Sequence, residues 1–360
     1  MIWYYTCNHI WILVQENHRN HLSHTYIQTN QRELFMLLNS IGSLRQAVQD
    51  NFAWVFVYIF SLGLLLGCSP SQHVSSNPCT HTPELYTSRI LTQPGGFTDG
   101  IEGPAVDRKG NIYAVNFARQ HTIGMVTPRG HSSHFIELPS GSVGNGIRFN
   151  SKGQMLIADY PKHNVLQVDM KSRRISVYAH EPSMNQPNDL AIAANDMLFA
   201  SDPKWNDSTG QIWRIDPDGS VHLLESGMGT TNGIEVSPDE KTLYVNESVQ
   251  RNVWAYDLSP NGKISNKRLL IQFPDHGMDG MRCDASGNLY ITRYGKGTIS
   301  KVSANGRELL EIRLSGTRPS NIAFGGADGR TCYVTMADQG NIETFRVEIP
   351  GRSWLLHPMN

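Results

Sequence analysis

The chain lacks the features that mark several large protein classes. Its 31 Lys and Arg residues are balanced by 32 Asp and Glu residues, so the formal net charge is −1. Proteins that bind nucleic acid through phosphate contacts carry a basic excess, so we expect no nucleic-acid partner. Charged residues make up only 18% of the chain, whereas there are 32 Gly and 18 Pro residues. This composition favours a turn-rich all-β protein over a helical one.

Two kinds of reactive site are also missing. None of the five cysteines pairs with another at a spacing typical of zinc ligands. Cys283 and Cys332 lie in strand-like apolar runs, and we expect them to be buried thiols rather than a disulfide. The nucleophile elbow G-x-S-x-G does not occur, which argues against a serine hydrolase.

One unit recurs six times between residues 102 and 337. The copies open at Glu102, Asn145, Asn188, Asn232, Asp279 and Ser320, at successive spacings of 43, 43, 44, 47 and 41 residues. Each copy contains two apolar runs around a tight turn, followed by signals for a third and a fourth strand. We therefore predict an all-β fold, a six-bladed β-propeller with four-stranded blades around a central channel. A β-sandwich is the alternative, but six equal repeats argue against it.

The repeat also sets the expected limits of the domain. Residues 83–350 are the predicted propeller, and residues 351–360 a C-terminal tail. The strand-like pattern of blade six ends near Val347, one strand short of four. The segment LYTSRIL at 85–91 is therefore expected to supply its outer strand. The glycines that recur after the opening residues are expected to allow close approach of the backbone; they are Gly103, Gly146, Gly233 and Gly280.

An uncharged run of apolar and small residues precedes the repeats at 54–67. It is short for a membrane span, which needs about 20 residues, but it has the length of a signal-peptide core. Because Cys68 follows directly, residues 36–68 are predicted to be a signal peptide with a lipobox-like end. A signal anchor and a chance apolar run are the alternatives.

The flanking segments follow from that prediction. Residues 69–82 are expected to be a flexible tether, since Ser and Pro are typical of linkers. Residues 1–35 are either a start-site error ahead of Met36 or a disordered tail. We expect an exported protein, either a lipoprotein tethered to a membrane through Cys68 or a periplasmic or extracellular protein.

The opening residues of the six repeats fall at equivalent places, so they should converge on the channel axis. They are Glu, Asn, Asn, Asn, Asp and Ser in chain order, without His or Cys. Carboxylate and amide oxygens suit a hard divalent cation, and the absence of nitrogen and sulfur ligands disfavours a soft-ligand site.

Five segments at blade spacing carry a resemblance to a known family. They are Glu102-Gly103-Pro104, Gln186-Pro187-Asn188-Asp189, Thr231-Asn232-Gly233-Ile234 with Ser237-Pro238-Asp239, Met278-Asp279-Gly280-Met281, and Asn321 to Gly326. Together they resemble the SMP-30/gluconolactonase family, also called regucalcin-like, over about residues 85–349. This family consists of six-bladed propellers with one divalent cation at the channel mouth.

The resemblance implies a set of site residues. Glu102, Asn232 and Asp279 would be protein ligands of the cation, and Asn188 would contact the cation or the substrate. Ca²⁺ is the expected cofactor, with Zn²⁺, Mn²⁺ and Mg²⁺ as alternatives. Two carboxylates and amide oxygens would leave positions for water and substrate.

Three further residues are candidates near the mouth. Gln186 stands where many relatives have a basic residue, so attraction for an anionic sugar should be weaker. Asp202 lies in a Ser-Asp-Pro run similar to the T-D-P run of bacterial gluconolactonases, and it would either face substrate or cap a turn. His276, three residues before Asp279, is either an exposed loop residue or a mouth residue.

The resemblance implies hydrolysis of a lactone or a similar cyclic ester. The cation would polarise the carbonyl oxygen, and Asp279 would serve as ligand and as general base toward water. A carboxylate on a cation is a feeble base, so the ligand role comes first. The alternatives are hydrolysis of a phosphotriester or another ester, and a non-enzymatic ligand-binding propeller. A small-molecule lactone or ester is the expected partner, and the oligomeric state is left open.

Overall fold

The computed structural model describes residues 84–356, together with the backbone of three strands nearer the N-terminus. These strands are β1 (Trp3–Thr6), β2 (His9–Gln15) and β3 (His24–Thr29), and they form an antiparallel sheet in the order β1-β2-β3. They belong to a compact unit at residues 1–80. The prediction that residues 1–35 are either a start-site error ahead of Met36 or a disordered tail stays a prediction.

The predicted export signals cannot be compared with the structure. The apolar run at 54–67, Cys68 and the tether at 69–82 lie outside the described residues, so the predictions made for them are unchanged. Across the portion that is described, no helix has both the length and the apolar character needed to cross a membrane.

The second compact unit starts at residue 81 and contains six four-stranded antiparallel sheets arranged in a ring, as predicted. Strand β4 is Arg89–Ile90. Blade one contains β5 (Ala105–Val106), β6 (Ile112–Val115), β7 (Thr122–Val126) and β8 (Ser132–Glu137). Blade two contains β9 (Gly144–Phe149), β10 (Met155–Asp159), β11 (Asn164–Val168) and β12 (Ile175–His180). Blade three contains β13 (Leu190–Ile192), β14 (Leu198–Lys204), β15 (Thr209–Ile215) and β16 (Val221–Met228).

The remaining blades repeat the pattern. Blade four contains β17 (Thr231–Val236), β18 (Thr242–Glu247), β19 (Asn252–Leu258) and β20 (Ile264–Gln272). Blade five contains β21 (Met281–Cys283), β22 (Leu289–Arg293), β23 (Thr298–Val302) and β24 (Glu308–Arg313). Blade six contains β25 (Pro319–Gly325), β26 (Thr331–Met336) and β27 (Asn341–Arg346). A short 3₁₀ helix covers Trp205–Asp207, and the helix α1 covers Arg352–Leu356.

The first hairpin of several blades is held by one Asp or Asn side chain. Asp107 accepts hydrogen bonds from the backbone N–H groups of Lys109 and Asn111 at 2.8 and 2.9 Å. Asn150 and Asp284 hold the equivalent turns in blades two and five in the same way. These side chains replace backbone partners that a tight turn leaves unpaired, so the local sequence determines where each inner strand reverses.

The ring closes as the repeat pattern predicts. Strand β4 pairs with β27 through Glu343 with Ile90 and Thr344 with Arg89, so the segment before blade one supplies the outer strand of blade six. Closure of this kind ties the two ends of the domain together and removes the free sheet edges that an open ring would expose.

The cores lie between neighbouring blades. Tyr290 of blade five and Phe324 of blade six meet edge to face, with ring centroids 5.1 Å apart. Cys283 and Cys332 are buried free thiols, which confirms the prediction that they do not form a disulfide. The pattern of large apolar side chains therefore serves packing between sheets.

The predicted C-terminal tail begins with an anchored segment. Arg352 of α1 is 3% exposed, and its guanidinium donates to the carbonyls of Ile192 and Ser237 at 2.8 and 3.1 Å. It also donates to Glu240 at 2.7 Å. The helix is thereby fixed across blades three and four, an arrangement that the sequence analysis did not foresee.

Candidate functional site

One cavity contains all six residues that open the repeats. It has a volume of about 690 Å³, and its lining includes Glu102, Asn145, Asn188, Asn232, Asp279 and Ser320. Each residue lies within three residues of the start of the innermost strand of its blade. The sixfold arrangement of the sheets therefore brings together side chains that are up to 218 positions apart, since 320 − 102 is 218.

Four oxygens of the ring residues in this cavity are buried without a hydrogen-bond partner. They are Glu102 Oε1, Asn145 Oδ1, Asn188 Oδ1 and Asn232 Oδ1. Buried polar atoms in native proteins are nearly always paired, because an unpaired one has lost its water without compensation. Four acceptors gathered in one cavity indicate a site for a cation or for a ligand rich in hydrogen-bond donors.

Neighbouring groups hold the acceptors in place. Asn232 Nδ2 donates to Ser248 Oγ at 3.0 Å, which fixes which end of the amide carries the unpartnered oxygen. Ser248 in turn donates to the carbonyl of Met278 at 2.5 Å. The other oxygen of Glu102 accepts from Asn321 Nδ2 at 2.9 Å and from the N–H of Gly103. These contacts orient the oxygens without occupying them.

Both carboxylates of the ring have a raised pKa. Burial, followed by the charge of Asp189, raises the pKa of Glu102 to about 7. Burial, followed by the charge of Glu102, raises the pKa of Asp279 well above its ordinary value. Two acids that share a poorly hydrated site behave this way when no positive charge lies between them. A divalent cation would remove this conflict.

The donor set fits a hard divalent cation. Within residues 84–356, no group of three or more His, Cys, Asp and Glu side chains is suited to hold a metal ion, so any site here must use amide oxygens. Two carboxylates with amide oxygens suit Ca²⁺ better than Zn²⁺, which prefers nitrogen and sulfur. Asn145 was absent from the predicted ligand set, although its place in the repeat could have indicated it.

Gln186 and Asp202 lie away from this cavity's lining. Asp202 is fully buried, and its carboxylate accepts from the N–H groups of Asn185 and Gln186 at 2.9 and 2.6 Å. It also accepts from the indole N–H of Trp213 at 2.9 Å. This geometry favours the turn-capping alternative for Asp202. A substrate contact by either residue stays a prediction.

The cavity wall includes residues that the repeat pattern did not single out. Tyr160, Trp205 and Tyr294 are the aromatic members, and Trp205 is 38% exposed. His276 also lines the cavity and is exposed, so it is both a loop residue and a mouth residue. These side chains lie outside the innermost strands, where a blade-by-blade comparison of opening residues gives no signal.

A layer of glycines lies directly beneath the ring. A Cβ on Gly146 would meet Asp189 Oδ1 at 2.7 Å, and one on Gly233 would meet the carbonyl of Asp279 at 2.6 Å. A Cβ on Gly280 would overlap the side-chain amide of Asn321. The prediction that these glycines permit close approach is confirmed. The space that a Cβ would take is occupied by Asp189 at Gly146 and by Asn321 at Gly280.

We expect Gly280→Ala to weaken both cation binding at the site and the stability of the fold. The added methyl must displace Asn321, whose amide donates to Glu102 at 2.9 Å. Loss of such a supporting contact lowers metal affinity by roughly 10- to 100-fold, whereas overpacking costs about 1–3 kcal/mol of stability. Calorimetric titration with Ca²⁺ measures the first effect and thermal unfolding the second.

Gly277→Ala is the matched control, because a Cβ there would make an ordinary 3.5 Å contact with the Ser248 carbonyl. Gly277 also lines the cavity, so the two variants add the same methyl group to the same cavity and differ in whether it displaces Asn321. Equal Ca²⁺ affinities for the two variants would contradict the role given to Asn321.

Charged side chains form the next layers of the channel. The third residue after the opening residue is Arg148 in blade two, Glu235 in blade four and Arg282 in blade five. Arg282 donates to Asp189 Oδ2 and Oδ1 at 2.7 and 3.1 Å, and all four side chains are at most 10% exposed. The sequence analysis missed this network because it compared only the opening residues of the repeats.

The fold and the site together define a six-bladed propeller with an oxygen-lined cavity at one end of its channel. The chain belongs to the family described as SMP-30/Gluconolactonase/LRE-like region, whose profile matches residues 100–338. It is 28% identical to a gluconolactonase of Zymomonas mobilis over 270 residues, which are 65% of this chain and 75% of that protein. It is 30% identical to a pentonolactonase of Haloferax volcanii over 154 residues, 42% of this chain and 53% of that protein. The match thus spans only about half the length of the Haloferax relative.

Solved structures share the architecture. A calcium-binding protein, regucalcin, from Agrobacterium tumefaciens superposes with a TM-score of 0.65 at 21% identity, covering 74% of this chain and 95% of that one. A gluconolactonase from Xanthomonas campestris gives a TM-score of 0.63 at 20% identity, covering 73% and 89%. A virginiamycin B lyase from Staphylococcus aureus gives 0.53 at 16% identity, covering 69% and 80%. These likenesses establish the fold, which by itself does not decide the chemistry.

Proposed function

We propose that this protein is a divalent-cation-dependent hydrolase that opens a lactone ring. The observation that carries the proposal is the group of four unpartnered buried oxygens beside two carboxylates of raised pKa, in a cavity of about 690 Å³. The family and the names of its lactonase members support the reaction class. The cation is part of the proposal, and Ca²⁺ is the ion that the oxygen set favours.

Five of the six ring residues have a role in this proposal. Glu102, Asn188, Asn232 and Asp279 would hold the cation, and Asn145 would add a further oxygen. When bound, a divalent cation supplies Lewis-acid polarisation of the lactone carbonyl. Asp279 would orient the attacking water and accept its proton as the new C–O bond forms. That proton then passes to the ring oxygen as the ester bond breaks, which leaves a hydroxy acid.

The cavity wall suits a neutral ring better than a charged one. Arg251 is the one Arg or Lys among the described residues that line it, whereas Asp99 adds a further acid near Glu102 and Asp279. The rings of Tyr160, Trp205 and Tyr294 offer flat apolar surfaces to a sugar or alkyl lactone. A phosphorylated lactone would meet little positive charge here.

The test is hydrolysis of sugar, aliphatic and phosphotriester substrates by the full chain, followed with a pH indicator. The protein is stripped with a chelator and then resupplied separately with Ca²⁺, Zn²⁺, Mn²⁺ or Mg²⁺. Lactone turnover that disappears and returns with one ion supports the proposal. If only phosphotriesters are hydrolysed, the protein is a phosphotriesterase and the lactone proposal is wrong. If no substrate is hydrolysed and no ion shifts the melting temperature, the result favours a binding scaffold.

The stability of the cation-free protein should depend on pH in a diagnostic way. Glu102 binds its proton more tightly in the folded state, where its pKa is about 7, than in the unfolded chain, where it is near 4.5. Stability should therefore fall as pH rises from about 4.5 to 7, and Glu102 alone accounts for about 3 kcal/mol of that fall at most. Ca²⁺ competes with the proton, so its stabilising effect should grow over the same range.

Melting temperatures with chelator and with Ca²⁺, measured at intervals between about pH 5 and 8, check this expectation. Glu102→Gln removes one of the two acids with a raised pKa and lessens the repulsion on the other, so the cation-free profile should become shallower. A cation-free protein that becomes more stable as pH rises through this interval, to the same extent in the variant, would contradict the assignment.

We also propose that the protein is exported and acylated at Cys68. The support is the uncharged apolar run at 54–67 directly before this cysteine. Mass analysis of the mature N-terminus in a bacterial host tests it, with Cys68→Ala as the control. An intact N-terminus ahead of Cys68 would contradict the proposal.

A further inference from the structure

A second cavity lies at the opposite end of the innermost strands. It has a volume of about 500 Å³, within the range of small-molecule sites. Its lining includes Ala105, Arg148 and Arg282, each three residues beyond the ring residue of its blade. Trp354 and Leu356 of the helix α1 form part of its wall. The mouth cavity and this one share no lining residue.

The walls are built from apolar side chains of blades one and two. Tyr113 and Phe135 meet edge to face with centroids 4.9 Å apart, and Tyr113 meets Phe149 at 5.7 Å. Met125, Phe149 and Met170 are only partly buried where they pack against this cluster. They leave apolar surface toward the cavity, which can accept a hydrocarbon body.

The charge of the cavity is strongly positive. Seven lining residues are Arg or Lys, and two, Asp107 and Glu235, are acidic. Asp107 already accepts from two backbone N–H groups, from Asn111 and from Tyr113. Glu235 accepts from the N–H of Val236 at 2.8 Å and lies 3.6 Å from Arg352. Both carboxylates are thus engaged with other partners.

Among the three buried arginines that line the cavity, Arg148, Arg282 and Arg352, Arg148 is the one whose charge is least compensated. It shares Asp189 with Arg282, which takes both oxygens, whereas Arg148 makes a single 3.4 Å contact with Oδ1. Burial and the charge of Arg282 lower the pKa of Arg148 to about 10, while Asp189 raises the pKa of Arg282 despite burial. Arg148 is 8% exposed, so water provides little compensation either.

We propose that this cavity binds an organic monocarboxylate with an apolar body. The Arg148 guanidinium would take the carboxylate, because a planar fork and a carboxylate pair through parallel hydrogen bonds. The aromatic and methionine wall would take the hydrocarbon part. The site differs from the mouth in position, in charge sign and in wall chemistry, so the inference does not depend on the lactonase proposal.

Octanoate is the probe, and Trp354 in the cavity wall is the reporter. Titration of the full chain should change the tryptophan fluorescence, and the change should be absent in Trp354→Phe. Calorimetry gives the affinity independently of that reporter. Octanol, which has the same chain without the charge, should bind at least about tenfold more weakly.

Arg148→Met replaces the guanidinium side chain with an uncharged apolar one and should lower octanoate affinity by about tenfold or more, while leaving octanol affinity unchanged. Arg313→Met makes the same substitution on exposed β24, outside the cavity, and should bind octanoate like the parent. Met170→Trp narrows the cavity while keeping Arg148, and should also weaken octanoate binding. This variant decides the question if Arg148→Met does not fold.

Three results would overturn the proposal. They are no heat or fluorescence change up to about 10 mM octanoate, equal affinities for the parent and Met170→Trp, and loss of binding in Asp279→Ala with retention in Met170→Trp. The last result would place the ligand in the mouth. Octanoate binding that is weakened in Met170→Trp and unchanged in Asp279→Ala supports the proposal whether or not the protein hydrolyses lactones.

Discussion

Replacing Asp279 by Ala should lower lactone turnover by on the order of a thousandfold or more, and should abolish the rise in melting temperature that Ca²⁺ produces. Asp279 is one of the two carboxylates that line the ring, and with Glu102 it supplies the negative charge of the site. Removing it leaves one carboxylate and amide oxygens, a set too weakly charged to hold a divalent ion firmly. The same change removes the proposed proton acceptor.

The cation-free variant should be as stable as the cation-free parent, or more stable. The charge of Glu102 is among the main causes of the raised pKa of Asp279, so the parent ionises both acids at a cost in stability. Losing one acid relieves that repulsion. Thermal unfolding in chelator measures this, and it separates a lost cation site from a damaged fold.

Asp99→Ala is the matched control, since Asp99 lines the same cavity but is exposed. Its lactone turnover should stay within about threefold of the parent's, and its rise in melting temperature with Ca²⁺ should stay within about a degree of the parent's. An Asp279→Ala variant that retained both responses at the level of this control would exclude the proposed site.

The propeller could be predicted because its information is local and repeated. Each blade contains its own apolar runs and its own turn residues, such as Asp107 and Gly110, so six copies report the same structure independently. The closure by residues 85–91 followed from counting strands in blade six. No long-range contact had to be known in advance.

The ring of the site was predictable for the same reason, and its surroundings were not. Equivalent positions in a cyclic repeat must converge, which placed Glu102 and Asp279 together before the structure was known. The partners that hold them, such as Asn321 on Glu102 and Ser248 on Asn232, are set by side-chain rotamers across blade boundaries. Repeat spacing does not report those contacts.

The opposite end of the channel was missed altogether. Arg148, Glu235 and Arg282 occupy one equivalent position, where the other three blades carry Ala105, Ala191 and Ala323. A charged residue in half of the repeats shows no clear pattern in the sequence until the structure reveals that Arg148 and Arg282 contact Asp189, while Glu235 lies beside Arg352. A single sequence position gives the residue type but not its burial. Buried charges are therefore recognised from a structure and not from the sequence.

Asp189→Asn is expected to destabilise the fold by about 3–5 kcal/mol, the largest stability effect of any single substitution proposed for this chain. Asp189 is fully buried and accepts from Arg282 at 2.7 and 3.1 Å and from Arg148 at 3.4 Å. The amide has nearly the same shape, so the loss is one of charge. It leaves two buried guanidinium groups facing each other without their shared carboxylate.

A double substitution identifies the cause. Arg148→Met alone should cost little, because Arg148 is weakly paired and its removal relieves repulsion with Arg282. In the Asp189→Asn background the same change should restore about 1–2 kcal/mol, since one uncompensated charge is then removed. Urea unfolding of the parent, the two single variants and the double variant measures the coupling. Strictly additive effects would mean that Asp189 stabilises the channel through its hydrogen bonds to Arg282 and Leu190 alone, and not through its charge.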